Sequence, residues 1–321
     1  MTLKEYITLF SNYLESNYPQ QEPRNLYQPM QYILELGGKR IRPVLTLIAS
    51  DGFKGEIQKA LAVAMSVEVF HNFTLLHDDI MDQAPIRRGK PTVHQHWNIN
   101  TAILSGDVMM IKAYAYLNQF EPEVFKSLTQ VLTQTAIEVC EGQQYDMDFE
   151  NRESVSLQEY MEMIRLKTAV LLGAALKMGS IVADAKLEDQ QKIYDFGIQL
   201  GLAFQMQDDY LDTFGNVETF GKQIGGDIME NKKTWLVLKT LELADDCDKQ
   251  VLTTLFNGYS EVDKIEKVKD LFKKYSVDIL IQNEMEHYTL TAEQLLNELP
   301  LQSQSKIVLE TLMQQLKSRK H

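Results

Sequence analysis

The stretch Gln58–Asp82, QKALAVAMSVEVFHNFTLLHDDIMD, contains neither Gly nor Pro. Its apolar side chains recur nearly all round a 3.6-residue turn instead of along one stripe, which predicts a long, central, buried helix. It closes on Asp78-Asp79-Ile80-Met81-Asp82. On a helix Asp78 and Asp82 share a face, with about 6 Å between them. Like charges so placed repel, and the hydrophobic run Phe70–Leu76 sets them at the rim of buried structure. A hard divalent cation relieves that repulsion, and magnesium favours one or two carboxylates completed by phosphate oxygens and water. For this cluster alone, a solvated acidic helix end reads equally well.

A second cluster changes the weighting. Asp208-Asp209-Tyr210-Leu211-Asp212 repeats the spacing, again after a mostly apolar helical run, Ile198–Met206. If the two helices face each other in a bundle, the carboxylates converge across a cavity. That geometry suits two or three Mg²⁺ ions clamping a diphosphate.

Such an anion needs local cations, because the 321-residue chain carries a net charge of −13. Gly37-Gly38-Lys39-Arg40-Ile41-Arg42-Pro43 supplies three behind a flexible glycine pair. Glycine lets backbone approach an anion, Arg offers forked donors and Lys a point charge. The plain alternative is a solvated turn after a helix. Arg87-Arg88-Gly89 follows the first cluster closely enough to return to the same rim. Lys167-Thr168 lies inside an apolar helical pattern, where a buried Lys needs a partner. Lys222 and Lys232 follow the second cluster.

Around these motifs the pattern is helical: 3–18, 27–36, 44–49, 58–82, 101–119, 122–148, 156–180, 187–213, 229–244, 247–256, 261–274, 276–298 and 303–319, with 84–100 irregular. With 16 Gly and 8 Pro there is little material for many turns. A single all-α domain over residues 1–321 is expected. The acidity argues against nucleic acid or an anionic membrane surface as partner. No apolar run is expected to reach the roughly 18 residues of a membrane span, so no transmembrane segment is foreseen. Two lone cysteines, Cys140 and Cys247, make a disulfide framework or zinc site improbable and point to a reducing, cytoplasmic setting.

The motifs, in this order, resemble those of the trans-isoprenyl diphosphate synthases (polyprenyl synthetases), across roughly residues 30 to 240. The resemblance rests on Gly37–Pro43, Glu68–Asp82 with Arg87-Arg88-Gly89, Lys167-Thr168, Phe204–Asp212 and Gly221–Asp227. It implies helices around a deep central cavity, a homodimer, and a Mg²⁺-dependent condensation of isopentenyl diphosphate with an allylic diphosphate. By that resemblance Asp78, Asp82, Asp208 and Asp212 bind Mg²⁺, with Asp79 and Asp209 supporting. Arg87, Lys167, Lys222 and Lys232 hold the allylic diphosphate. Lys39, Arg42, His71 and Arg88 hold isopentenyl diphosphate, and Thr168 and Gln205 line the reacting centre. Spacing alone makes His71 a core histidine.

The product tail is expected to grow along the helix that ends at Asp78, with Phe73 and Thr74 as floor and Phe70 a turn deeper. By the same resemblance, an aromatic at 73 beside the small Thr74 implies a C15 to C20 product, leaning to C20, geranylgeranyl diphosphate; ordinary core packing is the other reading of Phe73. His96 and Asn98 depart from the Lys and Gly more usual in the family, and the first cluster lacks the two-residue insertion of many bacterial farnesyl synthases. Two other functions compete. A class I terpene cyclase shares the helical cavity but usually replaces the second cluster and lacks the basic motif. A non-catalytic subunit of a heteromeric synthase often loses one of these motifs, and this chain keeps all of them.

Overall fold

The computed structural model describes residues 1–18, 21–215, 224–257 and 263–317. Its Cα packing divides into two compact units, one of 1–134, 174–194 and 299–309, the other of 135–173, 195–298 and 310–321.

In the first unit, α1 (Leu3–Ser16), α2 (Arg24–Glu35), α3 (Ile41–Gly52), α4 (Ile57–Met81) and α6 (Ile99–Ala115) surround a core centred on α4. Thr2 opens α1 with a capping box, its hydroxyl accepting from Glu5 N while the Glu5 carboxylate accepts from Thr2 N. The expectation of a helix buried all round is met: Ala60–Phe70 is buried without a break, and Phe70 and Met65 are fully enclosed. Two of its buried polar side chains find backbone acceptors. Ser66 Oγ donates to the Ala113 carbonyl of α6 at 2.7 Å, and Asn72 Nδ2 donates to the Glu68 carbonyl at 2.8 Å.

The expected absence of an apolar run of membrane length needs correcting here. Helix α4 has the length and the mean hydropathy, 1.2, of a crossing segment, but 78% of that window is buried inside the protein. Its apolarity serves the core.

The segment expected to be irregular, 84–100, holds a small antiparallel hairpin, β1 (Ile86–Arg87) with β2 (Lys90–Pro91), and a short helix α5 (Val93–His96). Arg88 (φ 53°) and Gly89 (φ 74°) make the two-residue turn, the left-handed pair that tight hairpins require.

Helix α7 (Pro122–Asn151) leads into the second unit. The predicted helix 156–180 is there three pieces: α8 (Leu157–Ile164), a single π turn at Arg165–Ala169, and α9 (Val170–Val182). After α10 (Leu187–Phe214), the predicted helix 229–244 is broken. A short α11 (Gly226–Met229) is separated from α12 (Trp235–Leu243) by a turn in which Asn231 takes φ 60°. No Gly or Pro marks that break, which is why periodicity reads through it. Helices α13 (Asp246–Asn257), α14 (Lys264–Lys274), α15 (Val277–Glu298) and α16 (Ser303–Lys317) complete the chain, so the all-α expectation holds.

Candidate active site

In the first unit the basic motif caps the start of α3. Gly37 (φ 80°), Gly38 (φ 126°) and Arg40 (φ 51°) all take left-handed backbone, and α3 begins at the next residue. Gly37 is called for by φ alone, Gly38 by close approach as well. A Cβ on Gly38 would stand 2.7 Å from Nη2 of Arg88, whose guanidinium donates to the Gly37 carbonyl. Lys39, Arg42 and Arg88 are thereby gathered around one loop.

The three cations of this motif divide their work. Arg40 turns inward to pair with buried Glu68 and donates to the Leu34 carbonyl. Lys39 is exposed. Arg42 donates to His71 Nε2 at 3.1 Å. Arg has no acceptor, so His71 Nε2 accepts and the ring is neutral. Lost hydration, with Arg42, Arg88, Arg87 and Arg40 nearby, holds its pKa well below the ordinary imidazole value. His71 is therefore a half-buried base among arginines instead of a plain core histidine.

At the C-terminal end of α4, Asp79 is buried while Asp78 is half-buried and Asp82 exposed. Arg87 Nε donates to both Asp79 oxygens at 2.8 Å, and its Nη2 lies 2.7 Å from Oδ1. Deeper on the same helix, Phe73 meets Phe70 (centroids 5.6 Å apart) and His77 (4.8 Å). Thr74 is half-buried beside them, its hydroxyl donating to the His71 carbonyl at 2.8 Å.

The second unit repeats the arrangement with different partners. Asp209 is buried and accepts from the Tyr160 hydroxyl, and from Gln205 Nε2 at 3.3 Å. Burial raises its pKa to about 7, against the opposing hydrogen bond from Tyr160. Asp208 is half-buried, and Asp212 Oδ2 accepts the backbone N–H of Asp227 at 3.0 Å. In both rows, then, the middle aspartate is a buried anchor. Among the described residues no three His, Cys, Asp or Glu side chains gather closely enough to hold an ion alone. Sparse carboxylate oxygens of this kind fit a magnesium ion that completes its shell with phosphate and water.

The π turn carries Lys167 and Thr168. A π bulge inserts one residue into a helix, and such bulges favour functional sites. Lys167 Nζ stands 2.5 Å from Asp146 Oδ2, and Thr168 Oγ1 donates to Gln205 Oε1 at 3.1 Å. Two glycines allow neighbouring helices to press against this turn. A Cβ on Gly142 of α7 would come within 2.4 Å of Lys167 N, and one on Gly201 of α10 within 2.6 Å of Ala169 Cα.

These groups line a cavity of about 160 Å³ that also includes Asp146, Tyr160, Asp227, Asn231 and Lys233. Sequence reasoning missed four of these and gave Asp227 no role beyond its place in the Gly221–Asp227 motif. Asp146 lies four residues after Gly142 and Tyr160 seven before Lys167, so only a spatial partner reveals them. Lys232 is 2.9 Å from Glu230 and 3.6 Å from Asp227. Burial opposes its charge, but the Glu230 hydrogen bond and Asp227 outweigh that and raise its pKa. The loop bearing it is held from α14. Lys264 Nζ donates to Asn231 Oδ1, and Ile265 packs on Gly225 so closely that a Cβ there would sit 2.8 Å from Cδ1. Lys222 lies outside the described residues.

The sequence and fold are similar to those of known prenyl synthases. The sequence profile described as polyprenyl synthetase matches residues 23–275. A geranylgeranyl diphosphate synthase of Sulfolobus acidocaldarius is 39% identical over 275 residues, covering 84% of this chain and 82% of that one. A crystal structure of a geranylgeranyl pyrophosphate synthase superimposes with a TM-score of 0.95 at 48% identity, covering both chains fully. The corresponding Pyrococcus horikoshii enzyme gives 0.91 at 35% identity, covering 98% of this chain and 97% of its own. The chain belongs to the polyprenyl synthetase family and is a short-chain trans-prenyltransferase.

Proposed function

We propose that this chain condenses isopentenyl diphosphate with allylic diphosphates and releases chiefly the C20 product, geranylgeranyl diphosphate. The observation that carries the reading is the doubled design of the aspartate rows: the middle carboxylate of each is buried and fixed, Asp79 by Arg87 and Asp209 by Tyr160. The flanking Asp78, Asp82, Asp208 and Asp212 are then the groups to hold two or three Mg²⁺ ions, with the whole chain acting as a single domain. Relatives that make geranylgeranyl diphosphate and the pairing of Phe73 with the small Thr74 support C20 over C15.

Magnesium, when bound, supplies positive charge against the departing diphosphate. Arg87, Lys167, Lys222 and Lys232 bind that diphosphate from the protein side, and stabilising charge where it develops is usually the largest catalytic contribution. Asp146 and Asp227 hold Lys167 and Lys232 in place until the anion arrives. Lys39, Arg42, Arg88 and neutral His71 orient isopentenyl diphosphate, whose double bond attacks C1 of the allylic cation. Thr168 and Gln205, hydrogen-bonded to each other, turn oxygen atoms toward that cation while apolar walls exclude water. The leaving diphosphate takes the proton lost from C2 of the isopentenyl unit. Phe73, with Phe70 beneath it and Thr74 beside it, closes the tunnel.

A homodimer is part of the proposal, supported by Ile103, Leu104 and Ile111, large apolar side chains that α6 leaves 40%, 58% and 63% exposed. Free Cys140 and Cys247 suit a cytoplasmic setting. The test is product analysis with labelled isopentenyl diphosphate and each of dimethylallyl, geranyl and farnesyl diphosphate, with and without Mg²⁺. A Mg²⁺-dependent C20 product from the purified chain is expected. A predominant C15 product overturns the length assignment. A hydrocarbon or alcohol from geranylgeranyl diphosphate alone indicates a cyclase, and absence of turnover without a partner chain indicates a subunit.

A further inference from the structure

One contact between α4 and α6 links the aspartate row to Phe73, the proposed stop. A Cβ built on Gly106 of α6 would lie 2.2 Å from Nε2 and 2.5 Å from Cδ2 of His77, so the imidazole rests against the bare α-carbon of that glycine. There His77 Nε2 stands 3.2 Å from the Ile103 carbonyl and 4.0 Å from Asp107 Oδ1. The ring also meets Phe73 edge-on, at 4.8 Å and 66°. His77 and Phe73 are four residues apart on α4, the spacing at which helical side chains touch. The contacts thus run in series: α6 seats His77, and His77 flanks the ring of Phe73, which in turn leans on Phe70.

We infer that His77, seated in the notch at Gly106, is a positioning residue for product length, orienting Phe73 and so fixing where the growing chain stops. The inference rests on the proposed role of Phe73 as the stop. His77 adjoins Asp78, so a purely structural role would lower turnover for every product alike. A positioning role changes the ratio of products.

The experiment compares the ratio of C25-and-longer to C20 products for the parent, Phe73→Ala, His77→Ala, the double variant and Gly106→Ala, with labelled isopentenyl diphosphate and farnesyl diphosphate as primer. Phe73→Ala should raise the ratio about tenfold or more and His77→Ala about threefold, with the double variant no higher than Phe73→Ala alone. Gly106→Ala guards against a His77 variant that does not fold: the nearest atoms its methyl meets all belong to the His77 ring, a side chain able to move, and the ratio should shift. If Phe73→Ala lengthens the product while His77→Ala and Gly106→Ala keep the parental ratio, whatever their rates, the inference is overturned alone. An equal His77→Ala effect with and without Phe73 also overturns it. An unchanged product from Phe73→Ala removes Phe73 as the stop, and the inference with it.

Discussion

The Tyr160 hydroxyl donates to Asp209 Oδ2 at a fully buried position, which fixes the middle member of the second aspartate row from a different helix. Tyr160→Phe keeps the ring and removes the donor. A buried acceptor left unsatisfied costs about 1–3 kcal/mol. The variant should remain folded and need a higher Mg²⁺ concentration for half-maximal rate, with kcat/KM lowered by about tenfold or more. Titrating steady-state rates with Mg²⁺ checks this. A parental Mg²⁺ dependence would mean that Asp209 holds its place without the tyrosine.

The π turn yields a second prediction. Gly142→Ala puts a methyl 2.4 Å from Lys167 N and 2.8 Å from Lys167 Cα, backbone atoms that cannot swing aside. Overpacking of this kind costs about 1–3 kcal/mol. Because the strain falls on the turn that presents Lys167 and Thr168, kcat should drop further than stability does, by about a hundredfold for a displacement near 1 Å. Paired measurements of thermal unfolding and single-turnover rate separate the two.

Within the basic motif, stability and the proposed diphosphate binding are expected to fall to different residues. Arg40 and Glu68 form a buried ion pair, with side chains 7% and 4% exposed. Arg40→Met leaves Glu68 uncompensated and should destabilise by about 3–5 kcal/mol, while Arg40→Met with Glu68→Leu recovers most of that loss. Lys39→Ala, at an exposed position, should leave denaturant midpoints unchanged and raise KM for isopentenyl diphosphate. Chemical denaturation and steady-state kinetics on the same four proteins test the division.

His71 adds a pH dependence whose sign follows from its neutral state. Its folded pKa lies well below 6.5, so below that pH the unfolded chain binds a proton that the native state refuses. Stability from this residue is therefore present above pH 6.5 and lost as pH falls below it, at up to about 1.4 kcal/mol per pH unit. His71→Gln should flatten the acid side of the stability curve between pH 6.5 and 5.5, measured by denaturant unfolding without substrates. An unaltered slope would show that the imidazole carries its proton in the native protein.

The helices and both aspartate rows were legible because they depend on local pattern. Gln58–Asp82 shows its burial through apolar residues on every face, and the repeated aspartate spacing needs no knowledge of the partner helix. What periodicity could not show were features set by tertiary contact. The π turn at Arg165–Ala169 has ordinary helix formers, and the glycines packed against it, Gly142 and Gly201, lie far off in sequence. The break at Asn231 has strong helix formers on both sides and is held by Lys264. The inward turn of Arg40 was invisible because Lys39, Arg40 and Arg42 look alike as charges; only Glu68 distinguishes them. Asp146 and Tyr160 escaped notice for the same reason, each being defined by the side chain it holds.

Because Ala60–Phe70 of α4 is buried without a break and Phe73 is buried beyond it, the aromatic residues of this helix answer to two demands at once. With Phe73 as the proposed stop, replacing Phe73 or Phe70 by a small residue would lengthen the channel only by hollowing out the interior, a loss of about 3–5 kcal/mol for Phe→Ala in a packed core. A longer hydrocarbon tail lying in that hollow restores much of the lost contact. Descendants of this enzyme that make longer chains are thus expected to be fragile when empty and sturdy when loaded, leaning on their own product as a removable piece of their core.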